Sequence, residues 1–121
     1  GLINVEGIHQ YNNYSNLNES LDFLESLDLL VGQRLHSIIF AATVSTPFFA
    51  LEYEPKTSDF LQTILMDNYS KRVDELDANE VFEAINKIYK NIEEEQLKLF
   101  NRITIAKKEQ LECLNLLFSK L

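Results

Sequence analysis

Asp28-Leu29-Leu30-Val31-Gly32-Gln33-Arg34-Leu35-His36-Ser37-Ile38-Ile39-Phe40-Ala41-Ala42 is the stretch that decides the fold. Leu29 to Val31 are wholly apolar and stop at Gly32, which allows a tight turn. Such a run suits a strand buried on both faces, as in a parallel sheet. From Gln33 or Arg34 the pattern changes period. Leu35, Ile38, Ile39 and Ala42 follow the spacing of a helical face packed on a sheet. Strand, glycine and helix in immediate succession are half of a parallel crossover unit.

Working outward, the same alternation recurs. Upstream, Asn18 is placed to cap a helix whose face carries Leu21, Leu24 and Leu27, with Asp28 closing it. Before that, Leu2, Ile3, Val5 and Ile8 make a first strand, and Tyr11 to Asn16 a loop. Downstream, Thr43 to Thr46 weaken the second helix. Pro47 opens a strand over Phe48 to Tyr53, and Pro55 ends it. Ser58 is placed to cap a third helix with Phe60, Leu61, Ile64 and Leu65 on one face. A short strand is expected over Tyr69 to Val73. Asp77 and Glu80 resemble a capping box, and Val81, Ile85, Ile88 and Ile92 follow as one amphipathic helix. From about Glu95, residues Leu97, Phe100, Ile103, Leu111, Leu114 and Phe118 read as one long helix or two shorter ones. No internal repeat is visible. The expectation is an α/β fold: a Rossmann-like parallel sheet over residues 1–76, then C-terminal helices over 77–121 packing on it.

Composition narrows the function. The chain has 121 residues, 45% apolar and 25% charged, enough for one domain with a core. Nineteen acids against eleven bases give a net charge of -8, which argues against a nucleic-acid partner. One cysteine, Cys113, excludes an internal disulfide framework, and it falls in the apolar pattern like a small core residue. Two histidines, His9 and His36, offer no local pair at metal spacing, so no metal is expected. Three glycines exclude a dinucleotide fingerprint and a P-loop. No apolar run reaches the roughly 18 residues that span a membrane, and no signal segment opens the chain. A cytoplasmic location is expected, with attachment at the inner face of the membrane as the alternative.

In open parallel sheets, ligands gather at the carboxyl ends of strands, beside helix N-termini. That rule selects two clusters. At Gly32-Gln33-Arg34-Leu35-His36, free N–H groups of a helix start favour an anion. Arg34 adds a donor fork matched to phosphate or carboxylate. On an ideal helix His36 would point about 200° away from Arg34, but at a first turn both still reach one space. The bland alternative pairs Arg34 with a surface acid and packs His36 on the sheet. At Glu52-Tyr53-Glu54-Pro55-Lys56, Lys56 would meet a second anionic group and Glu52 or Glu54 would take hydroxyls. Here the alternative is an ordinary solvated loop.

Together these clusters resemble the polysaccharide pyruvyl transferase family. Residues 28–42 and then Thr46-Pro47-Phe48-Phe49-Ala50-Leu51-Glu52-Tyr53-Glu54-Pro55-Lys56 follow its pattern. That pattern is an Asp, a buried strand, Gly-x-Arg-Leu-His, an apolar helix, and a Pro-led strand ending in Tyr-Asp-Pro-Lys. Glu75-Leu76-Asp77 is similar to an element opening the helical tail. Gln33 stands where an apolar residue is common, and Glu54 where Asp is. The resemblance implies the C-terminal half of a GT-B-like enzyme, lacking here its N-terminal domain and inactive alone. It implies transfer of pyruvate from phosphoenolpyruvate to a sugar as a ketal, without a further cofactor. Gly32, Arg34, His36 and Lys56 would bind the donor, and His36 would also move a proton. Two other readings stand beside it. One is the nucleotide-sugar half of a GT-B glycosyltransferase. The other is a non-catalytic interaction module, or homo-oligomer, joined through the C-terminal stripe.

Overall fold

The computed structural model describes residues 17–120. The expected first strand, the loop after it and His9 lie outside the described residues. From Leu17 the order is α1 (Leu17–Glu25), β1 (Leu30–Gly32), α2 (Leu35–Thr43), β2 (Phe48–Glu52), α3 (Pro55–Thr63) and β3 (Ser70–Arg72). A 3-10 turn (Val73–Glu75), α4 (Ala78–Lys90) and α5 (Ile92–Ser119) follow. The three strands form one parallel sheet in the order β1-β2-β3. Leu30 aligns with Phe48 and Gly32 with Ala50, while Ala50 aligns with Ser70 and Glu52 with Arg72. The α/β architecture read from the alternation is therefore the one observed.

Register sorts the strand side chains onto two faces, since neighbours alternate along a strand. Leu30, Phe48 and Ala50 point into a core shared with Ile38, Ala41 and Ala42 of α2, Leu61 of α3 and Leu99 of α5. Ile38, Ala50, Leu61 and Leu99 are fully buried. Val31 and Phe49 stand on the other face. Phe49 is buried, but Val31 is 46% exposed. An apolar run alone does not decide how many of its faces are covered. The expectation that Leu29 to Val31 is buried on both sides is corrected for Val31.

The described chain holds a repeat that the sequence reading missed. Helices α2 and α3 are offset by twenty residues and match feature by feature. Arg34 and Glu54 are their N-caps, both with extended backbone and neither with a side-chain cap bond. Thr43 Oγ1 donates to the Ile39 carbonyl at 2.8 Å, and Thr63 Oγ1 to the Asp59 carbonyl at 2.9 Å. The C-cap N–H of Val44 returns to Phe40, and that of Ile64 to Phe60. Each helix then ends through a residue at positive φ, Ser45 at 60° and Leu65 at 57°. Thr46 N–H reaches the Ala41 carbonyl and Met66 N–H the Leu61 carbonyl, both at 2.8 Å. These six-to-one bonds are Schellman closures, usually built on glycine.

Leu65 therefore does not lie on the α3 apolar face as expected; it is 63% exposed in the turn. A left-handed conformation costs an L-residue roughly 1–2 kcal/mol, and glycine's extra unfolded-state freedom takes back roughly 0.5–1 kcal/mol. Leu65→Gly should thus raise stability by roughly 0.5–1 kcal/mol. A fall in thermal midpoint would contradict this reading of the turn.

Other boundaries shift for physical reasons. Leu27 lies past α1, which ends at Glu25, and Asn18 is inside that helix rather than its cap. The α1 end is fastened instead by Thr46 Oγ1, which donates to the Leu24 carbonyl at 2.7 Å in the interior. Pro55 opens α3 at its first position, where a missing N–H costs nothing, so Ser58 is not the cap. Asp77 caps α4 as read, with Oδ1 accepting from the N–H groups of Asn79 at 2.9 Å and Glu80 at 3.3 Å. Glu80 pairs with Lys71 at 3.3 Å instead of closing the box. The helix over Val81 to Ile92 breaks at Asn91, whose Nδ2 donates to the Lys87 carbonyl at 2.9 Å, so Ile92 opens α5.

Helix α5 is one continuous element whose first half docks on the domain. Leu99 is buried in the core, with Ile103 and Ala106 packed beside it. Tyr69, just before β3, donates its hydroxyl proton to Glu95 Oε2 at 2.7 Å and accepts from Lys98 Nζ at 2.7 Å. The Lys98 ammonium also lies 4.9 Å from the Tyr69 ring centre. Burial, then the bond to Glu95, hold the Tyr69 pKa above its usual value, against the pull of Lys98. Glu95 is thus a partner across elements, not part of a solvated acidic face. Residues 107–120 are exposed throughout, Cys113 among them, so neither that cysteine nor the apolar stripe there joins the core.

Candidate active site

The carboxyl ends of β1, β2 and β3 share one edge of the sheet, since the strands are parallel. Gly32 is the last residue of β1 and is buried. It also leaves room for a close neighbour. A Cβ there would lie 2.9 Å from Ile38 Cδ1 and 3.4 Å from Leu30 Cδ2. A side chain here would press on the terminal methyl of Ile38, so the glycine eases the approach of α2 to the strand end. Since Ile38 is fully buried, Gly32→Ala should cost about 1–3 kcal/mol by overpacking. Urea unfolding measures this, and a loss below about 0.3 kcal/mol would show that α2 yields freely.

Arg34 is the N-cap of α2 and is exposed. A guanidinium has no acceptor, so it cannot satisfy the first-turn N–H groups as Ser or Asp would. It offers donors at a helix start that already favours an anion. His36, the second helical residue, is exposed, with its ring 6.2 Å from that of Phe40 and tilted by 50°. It does not pack on the sheet. Lys56, the second residue of α3, is also exposed. By the twenty-residue offset, His36 and Lys56 occupy equivalent positions at the starts of adjacent helices, on the same sheet edge. That offset was the sequence signal linking them.

Tyr53 feels the charge of both clusters. Its hydroxyl bonds to Glu54, and that bond, with the Glu54 charge and slight desolvation, holds its pKa above the ordinary phenol value. The Arg34 charge acts on the same hydroxyl in the opposite direction. Arg34 therefore stands close enough to the β2–α3 turn to act on it electrostatically.

Beside this turn lies an open cleft of about 690 Å³, between the β2–α3 junction and the end of β3. Glu52, Glu54, Asp59 and Asp74 line it, with Arg72 as its cation. Arg72 already pairs with Asp74 at 3.1 Å. Gly32, Arg34, His36 and Lys56 do not line the cleft. The edge is thus divided: cationic and N–H donors at the α2 start, carboxylate acceptors in the cleft. Among the described residues no group of His, Cys, Asp and Glu is arranged to hold a metal ion.

Residues 2–55 match the family model for polysaccharide pyruvyl transferase. Over this stretch, a little under half of the chain, the sequence is similar to that family. The match takes in β1, α2 and β2, so Gly32, Arg34 and His36 lie within it, and it stops one residue before Lys56. No curated protein and no solved structure gives a significant match. Among the described residues, no helix is long and apolar enough to cross a membrane.

Proposed function

We propose that this chain supplies the donor-binding part of a pyruvyl transferase that takes pyruvate from phosphoenolpyruvate and sets it on a sugar as a ketal. One observation carries the reading. The Gly-x-Arg-Leu-His element of the family-matched stretch opens a helix at the carboxyl edge of a parallel strand, with Arg34 as an N-cap that donates and cannot accept.

The chemistry asks for these groups. Phosphoenolpyruvate carries a phosphate and a carboxylate, and both are matched by a guanidinium fork and helix N–H groups. In the transfer, two sugar oxygens form bonds to C2 of the donor, and the bond from C2 to the phosphate oxygen breaks. The donor methylene gains one proton and becomes a methyl group. The second hydroxyl proton leaves with phosphate or to solvent. Arg34 meets the charge that grows on the departing phosphate. An imidazole exchanges protons near neutral pH, and His36 is assigned the proton reaching the methylene. The carboxylates of the neighbouring cleft repel the donor and accept from hydroxyls, which suits them to the sugar side of the reaction.

The test is His36→Gln in the complete enzyme, assayed for ketal formation and, separately, for donor binding. The expected result is a loss of turnover of about 10²–10³-fold, in the range of a general acid, with donor affinity changed much less. Full turnover in His36→Gln would remove His36 from the proton transfer.

A further inference from the structure

The strongest feature that the proposed reaction does not use is the outer face of α5. Leu97, Phe100, Leu111, Leu114 and Phe118 are 61%, 55%, 59%, 44% and 65% exposed. With Thr104 and Lys107 they recur at alternating steps of three and four along a helix of 28 residues. That is the seam of a two-helix coiled coil. It lies to the side of the face that docks on the domain through Leu99, so a partner helix meets no obstruction from that packing.

The geometry points to a second copy of this chain as the occupant, with the two α5 helices paired antiparallel. The seam is complementary to itself in one register. With the two-fold axis between Ile105 and Ala106, Leu97 of one copy lies opposite Leu114 of the other, and Phe100 opposite Leu111. The two polar interruptions, Thr104 and Lys107, then face each other rather than an apolar residue. A parallel pair would stack Lys107 on its own copy, a like-charge contact inside the seam. Phe118 falls at the end of this register opposite Glu93, so four apolar side chains and their flanking stems would bury roughly 500–600 Å² per copy. That is about 1,000–1,200 Å² in all, the size of a weak, exchanging interface. The expected dimer is therefore reversible, with a dissociation constant in roughly the micromolar range.

Sedimentation equilibrium of the 121-residue chain over low to high micromolar concentration tests this. The mass should rise from 14.0 kDa toward twice that value. Leu111→Glu, and independently Leu97→Glu, should hold it at one chain with unchanged circular dichroism, since both positions are exposed. A nitroxide on Cys113, the chain's one cysteine, reports direction. Fifteen residues separate the two labels along the axis in the antiparallel register, about 22 Å. A mass that stays at one chain at every concentration, or rises beyond two, overturns the proposal. So does a dimer that survives both substitutions, or a label separation under about 15 Å, which marks parallel helices.

Discussion

Arg34→Ala is expected to lower the rate of pyruvyl transfer by about 10²–10³-fold at limiting donor. Three causes add at this one side chain. It removes a charge-assisted fork from an anion that the carboxylates of the neighbouring cleft repel. It leaves the α2 start with its N–H groups and dipole, which alone are worth far less than a bidentate pair. It also withdraws the positive charge that would face the departing phosphate. Arg34→Lys should recover only part of the loss, because an ammonium keeps the charge but not the planar fork. Stability should scarcely change in either variant, since Arg34 is exposed and makes no cap bond. A steady-state assay checks this, and an Arg34→Ala enzyme within threefold of wild type would end the assignment.

Leu99→Ala is expected to cost about 2–5 kcal/mol, the largest stability loss of any single truncation in α5. Leu99 is the only residue of that helix that is fully buried among those described. It enters the cluster made by Ile38, Ala41 and Ala42 of α2 with Phe48 and Ala50 of β2. Removing it opens a cavity beneath α2, the helix that presents Arg34 and His36. What then holds α5 is the partial packing of Ile103 and Ala106 and the Tyr69–Glu95 and Lys98–Tyr69 bonds, the bonds worth about 1 kcal/mol each. Limited proteolysis should therefore release the C-terminal helices before the sheet unfolds. Urea denaturation of the wild-type chain and of Leu99→Ala measures the cost, and a cost below about 1 kcal/mol would mean that α5 is only loosely applied to the core.

How far the sequence disclosed this molecule depends on the kind of signal each residue carries. The sheet and its crossovers were legible because Leu29 to Val31 and Phe48 to Tyr53 are short apolar runs next to helical periods, and Asp77 is an acceptor standing where a cap is needed. The turn at Leu65 was not, because its left-handed backbone is imposed by a Schellman closure on a residue type that never advertises it. The break at Asn91 was hidden since Val81, Ile85, Ile88 and Ile92 keep one spacing across it. Periodicity also cannot say what an apolar stripe packs against: Leu99 is buried, while Leu111 and Leu114, with the same signal, are exposed. The site followed the same division. The chemistry of Arg34 and His36 could be read from the Gly32 junction. The separate carboxylate cleft could not, because it joins Glu52 and Glu54 to Arg72 and Asp74, which only the β2–β3 register brings together.

On the proposed function, the donor anion is held at the start of α2. Backbone amide resonances of the chain, followed during titration with phosphoenolpyruvate, test it most directly. Saturable shifts are expected at Gly32, Arg34 and His36 that vanish in Arg34→Ala while the cleft residues Asp59 and Asp74 stay still. Shifts confined to the cleft, or shifts at the α2 start that persist undiminished in Arg34→Ala, would contradict it.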